Sequence, residues 1–461
     1  MEKYDITVIG AGSGGLVAAL TAQRRGARVA LIEKNKIGGE CTHAGCVPSK
    51  TLISSARLFQ SMQKFITHGL PTVQLASEFD FTKVMEHVDE VVQGIYRNEQ
   101  PFHFQDLGID VFIDPSGAKF IDPNHISIGN SVIESRYFVI STGSSPRMAP
   151  HEGSEMLKFL TNENFWEIHE QPKSIAFLGG GVISVELGQS LARFGTDVTI
   201  IERFPTILNA LDPEIVALIT KSLEEDGIRI VTDSEVTNCI QNTDGQIKLV
   251  LDQKGVSRDL IAEQIFVALG RTPNITGLDL EKAGVEYSEY GIKTNEYLQT
   301  SSPNIYACGD VTSPAKFTHI ASYQADICID NILEGNKREN DLSLVPWAIF
   351  MEPEVGHVGM SEAQALKKFG KVNVSRVGTS SIDRFITESE TEGFLKIIMD
   401  ENDVILGADA IGLHAGEWIQ FFTLAIKQKI KIQELAETIF IYPTFSEIIK
   451  KGVTRYLRSK S

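Results

Sequence analysis

Cys41 and Cys46 stand with four residues between them in the stretch Gly38-Gly39-Glu40-Cys41-Thr42-His43-Ala44-Gly45-Cys46-Val47-Pro48-Ser49-Lys50. Two thiols at such spacing can close into a disulfide and reopen by two-electron transfer. They follow a glycine-rich turn, Gly10-Ala11-Gly12-Ser13-Gly14-Gly15, of the kind that cradles a dinucleotide pyrophosphate. A cysteine pair beside such a turn points to a redox-active disulfide that takes electrons from a flavin. The other readings of the pair are a structural disulfide or half of a zinc site. Zinc ligands prefer closer spacing and a second pair, and the sequence has no such second pair.

The elements that must hold these residues occur twice. The first unit reads as a strand over 4–9, the glycine turn, a helix from Leu16 to about Arg25, and a strand Arg28–Ile32 ending in Glu33. The second reads as a strand Ser174–Leu178, the turn Gly179-Gly180-Gly181-Val182-Ile183-Ser184, a helix to about Phe194, and a strand Asp197–Ile201 ending in Glu202. Each helix would begin at its turn, so its first amides and its dipole face a pyrophosphate. Gly10, Gly12 and Gly15, and in the second copy Gly179 and Gly181, permit the tight turn and the close backbone approach. Glu33 and Glu202 each fall 21 positions after the second glycine of their turn, where a carboxylate can bond ribose hydroxyls. One such fingerprint is a weak signal, whereas two with strand, helix and acid in place are a strong one. Ser184 stands where a third Gly or Ala is usual, and it is small enough for the helix to pack on the strand.

A chain of 461 residues has room for about three domains at roughly 150 residues each. Boundaries are expected near 150, 276 and 346. Between the two units, 51–150 opens with an amphipathic helical stretch and turns to short strands (Val111–Ile113, Ala118–Ile121, Ile126–Ile128). After Gly270 a loop-rich return leads to the strand Asn304–Cys308 and then Asp310. From about 346 strands (Phe394–Met399, Val404–Ile411) alternate with helices, and a helix follows Pro443. The fold class is α/β: two Rossmann-type nucleotide-binding domains with parallel sheets and ββα insertions, plus a C-terminal α+β domain. A net charge of −17 argues against nucleic-acid or anionic-membrane partners. The basic end, from Lys450-Lys451 to Lys460, reads as a solvated helix face. No signal peptide is visible, and no apolar run approaches the ~18 residues of a transmembrane helix. Cytoplasmic placement is the expectation, and there a surviving disulfide is usually catalytic. Cys239, Cys308 and Cys328 lie in apolar runs and read as small buried hydrophobes. No metal site is expected.

With these residues in view, the chain resembles the class I pyridine nucleotide–disulfide oxidoreductases, the group of glutathione reductase, dihydrolipoyl dehydrogenase and mercuric reductase. The resemblance spans essentially the whole length. It rests on Gly10–Gly15, Gly39–Lys50, Ser141-Thr142-Gly143, the second fingerprint, Ala268-Leu269-Gly270-Arg271, Tyr306–Asp310 and Pro443-Thr444-Phe445-Ser446-Glu447. It implies a 1–150 FAD domain completed by 276–345, a 151–275 NAD(P) domain and a 346–461 dimerisation domain. FAD would lie on the first unit, with Glu33 at the adenosine ribose and Asp310 at the ribityl chain, and Thr142, Gly143 and Gly270 would be further cofactor-binding residues. Cys46 would be the flavin-proximal charge-transfer thiol and Cys41 the interchange thiol that attacks substrate. Lys50 and Glu186 match the buried ion pair beside the flavin. In a homodimer the Pro443–Glu447 segment, with Glu447 at its end, would reach the partner's cysteines. NAD(P)H would occupy the second unit. There Glu202 would repel a 2′-phosphate while Arg203 could attract it, and NADH is the favoured reading.

The pattern departs from the glutathione and lipoamide enzymes at Tyr442, where they carry a histidine that serves the interchange thiol. A phenol titrates near 10 and an imidazole near 6.5, so Tyr442 is a poor proton shuttle at neutral pH. His43 and His414 are candidate substitutes. Tyrosine at this place is similar to mercuric reductase, but the terminus Arg455–Ser461 has no cysteine pair and no metal-binding module precedes the first strand. The expectation is a mercuric-reductase-like FAD enzyme passing hydride from nicotinamide through flavin and disulfide to a small disulfide, thiol-bound metal or other electrophile. Alternatives are dihydrolipoyl dehydrogenase, a flavin-only oxidase or transhydrogenase with idle cysteines, and a redox-sensing flavoprotein recruited by a partner.

Overall fold

Ile6, Thr7, Val8 and Ile9 are all buried, so the strand Glu2–Ile9 is covered on both faces, as a parallel strand between helical layers must be. The computed structural model describes residues 2–65, 68–71, 79–148, 157–243, 245–312 and 315–460. Glu2–Ile9 sits at the centre of the first sheet, parallel to Val29–Glu33 on one side and to Ser131–Ile140 on the other. Ile109–Ile113 extends the sheet beyond Val29–Glu33, and Ile305–Ala307 pairs in parallel with the far end of Ser131–Ile140. An antiparallel meander through His125–Ile128 and Ala118–Asp122 completes it. The crossover helix Ser13–Arg24 packs against the helix Thr318–Glu334.

The second unit repeats the plan. Arg229–Val231, Asp197–Ile201, Ser174–Leu178 and Gln264–Val267 form a four-stranded parallel sheet, and Ser234–Gln241, Ile247–Gln253 and Val256–Ala262 an antiparallel one. The chain enters and leaves this unit through two short antiparallel strands, Ser144–Pro146 and Arg271–Pro273. The C-terminal part is a five-stranded antiparallel sheet with Ile405–Ile411 at its centre, and the neighbouring inner strand Phe394–Met399 is buried at every position. The helix Glu447–Lys460 covers one of its faces. Lys396 leaves the sheet to meet Asp212 at 2.8 Å and Glu214 at 2.7 Å in the second unit. No helix among the described residues is long and apolar enough to cross a membrane.

Several expectations shift. The first fingerprint helix starts at Ser13, not Leu16, because Gly12 is already its N-cap. The helical stretch expected from 51 starts at Cys46 and runs to Gln63. The expected boundary near 150 falls within 149–156, outside the described residues. The basic terminus is only partly a solvated face. Lys450 donates to the carbonyls of Ala436 and Thr438, and Lys460 pairs with Asp403 at 2.7 Å, so both tie the last helix to its domain.

Candidate functional site

Residues more than 250 positions apart converge on one cleft of about 800 Å³. Gly10, Gly12, Glu33, Thr142, Gly143 and Asp310 line it together with Cys41 and Cys46. Gly15 lies behind that wall, at a point of contact too close for any side chain: a Cβ there would stand 1.8 Å from the Gly10 carbonyl oxygen. Glu33 is fixed at the rim, one oxygen accepting from the Ala11 amide at 2.8 Å and the other from Lys34 and Asn35. The helix that opens at Gly12 has no side-chain cap and no acid in its first turn, so its leading amides are open to an anion. A cleft of this size, with uncapped amides at one end and two thiols at the other, fits an elongated dinucleotide with a redox ring.

Cys46 is the first residue of an 18-residue helix, where the dipole and free amides favour a thiolate. Its sulfur also stands 3.5 Å from the Thr318 hydroxyl. The Cys41 thiol donating to Cys46 is the largest influence that holds Cys46 below the ordinary thiol range. Thr318 and the Lys50 charge add to it, and burial opposes it. Cys41 moves the other way, raised by that same hydrogen bond and by burial. The pair therefore has a polarity: Cys46 bears the negative charge and Cys41 holds the proton.

Behind Cys46, Lys50 Nζ lies 2.8 Å from Glu186, whose other oxygen accepts from the Phe350 amide at 2.8 Å. The ammonium also sits 4.7 Å from the centre of the Phe350 ring. The three units of the chain meet at this point. Phe350 gave no sequence signal, since it enters from a distant strand end. A second polar cluster was also invisible as a site. Arg271 reaches from the linking strand to grip both oxygens of Glu40, and it also donates to the Ser144 hydroxyl at 2.7 Å. Asn162 donates to Glu40 at 2.8 Å, and Ser144 to Asp310 at 2.6 Å. Burial pushes the Glu40 carboxyl up to about 7, against the pull of Arg271.

At the second fingerprint Glu202 accepts from the Gly180 amide at 2.7 Å and from Phe204 at 3.0 Å, the same anchoring as Glu33. A Cβ at Gly181 would meet nothing within 4 Å, and the helix it caps has no side-chain cap, so this turn too is open to a phosphate. Ser184 is fully buried, and its hydroxyl donates to the Gly179 carbonyl, which explains why serine is accommodated there. Arg203 is exposed and lies over the Phe204 ring. Gly270 has φ near +100° with open space around it, at the start of the return strand.

Tyr442 and Glu447 are not among the residues lining the cleft. Tyr442 is 66% exposed, beside Ile441 at 79% and Ile439 at 95%, and its hydroxyl donates to Asp383 at 3.0 Å. Glu447 opens the last helix. His43 lines the cleft but is tied, through Nε2, to the Ile37 carbonyl at 2.8 Å, and His414 packs edge-on against Phe445. Cys239, Cys308 and Cys328 are buried as expected.

Comparison with known proteins agrees with this geometry. Residues 4–325 match the family described as pyridine nucleotide-disulphide oxidoreductase, and 345–453 match its dimerisation domain. Mercuric reductase of Staphylococcus aureus is 33% identical over 449 residues, covering 97% of this chain and 81% of that protein. Dihydrolipoyl dehydrogenase of Bacillus subtilis (strain 168) is 32% identical over 462 residues, covering 97% and 96%. The Cu(II) complex of RclA, an HOCl-induced flavoprotein disulfide reductase from Escherichia coli, superposes with a TM-score of 0.88 at 28% identity, over 99% of this chain and all of that one. The chain belongs to the pyridine nucleotide-disulphide oxidoreductase family, whose members are FAD-binding enzymes that use NAD(P)H.

Proposed function

We propose that this member of the family is an NADH-driven FAD enzyme whose Cys41–Cys46 disulfide passes electron pairs to a small thiophilic acceptor. That acceptor is a disulfide, a thiol-bound metal ion or another soft electrophile. The observation that carries the reading is that both thiols line one cleft with Gly10, Glu33 and Asp310, with Cys46 at the start of a helix. Cys46 is held as the anion by Cys41, Thr318 and Lys50, and Cys41 keeps a proton. FAD, when bound, supplies the two-electron link between the nicotinamide and the disulfide. Gly10, Gly12, Glu33, Thr142, Gly143 and Asp310 would hold it, and Gly270, just before the return strand, would be a further cofactor contact. Gly179, Gly181 and Glu202 would seat the nicotinamide dinucleotide, and the anchored Glu202 carboxylate disfavours a 2′-phosphate despite the exposed Arg203. Lys50, neutralised by Glu186, keeps a cation behind the Cys46 thiolate. Cys41 would attack the acceptor, its proton passing across the Cys41–Cys46 hydrogen bond to the Cys46 thiolate as the new bond forms.

The exposed Ile439–Tyr442 segment supports a homodimer in which Tyr442 and Glu447 serve the other subunit's cysteines. Hydrogen bonding to Asp383 raises the Tyr442 phenol above its ordinary value, so it acts as a donor rather than a base. That favours a mercuric-reductase-like acceptor over lipoamide. A dithiol kept reduced by a nicotinamide suits the cytoplasm. We divide the chain at about 150, 276 and 346, with 276–345 returning to the FAD unit.

An anaerobic titration of the FAD-loaded protein with NADH tests the reading. Uptake beyond the electron pair of the flavin alone, lost in Cys41→Ser with FAD retained, is the expected result. Uptake limited to one pair in the unaltered protein would make the cysteines idle and the proposal wrong.

A further inference from the structure

A carboxylate immediately before the attacking cysteine is an unfavourable neighbour for a thiolate. Glu40 precedes Cys41 in the short helix Gly39–His43, and both residues line the same cleft as Cys46. Its charge is not left bare. Arg271 closes a two-pronged fork on it, and Asn162 donates to the oxygen that Arg271 Nη1 also reaches. Arg271 in turn is fixed by Ser144 through the hydroxyl at 2.7 Å and the carbonyl at 2.6 Å. The guanidinium is well covered, with 13% of its side chain exposed. The cluster thus places one negative and one positive charge in the cleft of the dithiol, Glu40 on the cysteine helix and Arg271 on a strand that carries the chain between its two nucleotide units.

We infer that the Glu40–Arg271 pair tunes the reduction potential of the Cys41–Cys46 disulfide, Glu40 cancelling a cation that would otherwise favour the reduced pair. The inference rests on the proposed redox role of the two cysteines. Reduction converts one S–S bond, two electrons and two protons into two thiols, one of which releases its proton to become the Cys46 thiolate. The oxidised pair is neutral and the reduced pair is an anion. A nearby carboxylate therefore disfavours reduction and a nearby guanidinium favours it.

The test equilibrates the FAD-loaded protein with glutathione buffers of graded ratio. Two glutathione thiols reduce one protein disulfide and leave as glutathione disulfide, and the thiols gained are counted by alkylation and mass. Glu40→Gln is expected to shift the equilibrium about three- to tenfold towards the dithiol, on the order of 15–30 mV for a two-electron couple. Glu40→Asp, which keeps the charge, is expected to stay within about twofold of the unaltered protein. The Glu40→Gln difference is present above pH 7 and fades as pH falls and the natural carboxyl takes up its proton. Arg271, Asp310 and Glu163 face Glu40 in both proteins, with Lys316 beyond, so their contributions cancel in the comparison. Equal midpoints for the unaltered protein and Glu40→Gln, or equal shifts in Glu40→Gln and Glu40→Asp, would overturn the inference. An unaltered protein in which no two thiols titrate would instead sink the redox role beneath it.

Discussion

Removing Cys41 isolates the ionisation of Cys46, and the choice of replacement decides what is learned. In Cys41→Ser a hydroxyl stands where the thiol was and can still donate to the Cys46 sulfur. In Cys41→Ala no donor remains. Donation by Cys41 is the largest of the influences that keep Cys46 anionic, ahead of Thr318 and Lys50. A hydrogen bond to a charged group contributes about 1.5–3 kcal/mol, which corresponds to roughly one to two pH units at 1.36 kcal/mol per unit. Cys46 in Cys41→Ala should therefore ionise about one to two pH units higher than in Cys41→Ser. The sign follows from which form the donor stabilises: it bonds the thiolate, so losing it favours the thiol and moves the midpoint up. Neither variant can form the disulfide, so the flavin stays oxidised while Cys46 is titrated. The assay is the long-wavelength absorbance that a thiolate against an oxidised flavin produces, followed from pH 4 to 10 in the FAD-loaded variants. Coincident midpoints would refute the reasoning and assign the acidity to the helix terminus, Thr318 and Lys50.

Other perturbations read other parts of the site. Gly15→Ala would press a methyl to 1.8 Å from the Gly10 carbonyl and should abolish FAD retention, seen as loss of flavin absorbance in the purified protein. Ser184→Gly, which removes one hydrogen bond to Gly179, should cost about 1 kcal/mol and leave nucleotide use intact, as thermal melting and NADH kinetics would report. Lys50→Met strands the buried Glu186 carboxylate and should cost about 3 kcal/mol; the double change Lys50→Met with Glu186→Met should recover part of it, and a simple sum of two losses in the melting shifts would contradict the pairing. Glu202→Ala should lower kcat/KM for NADH about tenfold while NADPH loses less, so an unchanged ratio of the two would remove Glu202 as the discriminator.

What could be read from the chain divides by how local the cause is. Both fingerprints were legible because turn, helix start and ribose acid lie within about one βαβ unit, and each part obeys a short-range steric or dipolar rule. The strand Ser174–Leu178 has the expected bounds for that reason. The helix start moved from Leu16 to Ser13 because glycines look like turn residues in sequence, whereas here their backbone is already helical. The Lys50–Glu186 pair was accessible only through resemblance, since its partners lie 136 positions apart. Glu40 and Arg271, 231 positions apart, each fall in a stretch that carries the resemblance, but neither was assigned a role by it. Each looks like an ordinary surface charge until the linking strand folds back over the cysteine helix.

Tyr442 shows the same division from the other side. Its identity in the sequence argued against proton shuttling, and its environment strengthens that argument, because Asp383 takes the phenol's hydrogen bond and makes ionisation harder. Yet the residue stands away from the cleft of its own chain, in a run where Ile439 and Ile441 expose most of their surface. Three large side chains left open in sequence are costly for an isolated surface and ordinary for one that meets a second copy. On the proposed homodimer the dithiol and the phenol would be two halves of one site that a single chain keeps apart. Dilution below the dimer's dissociation constant should therefore abolish acceptor turnover while NADH still reduces the dithiol within each subunit, and parallel losses of both would mean that Tyr442 has no part in the chemistry.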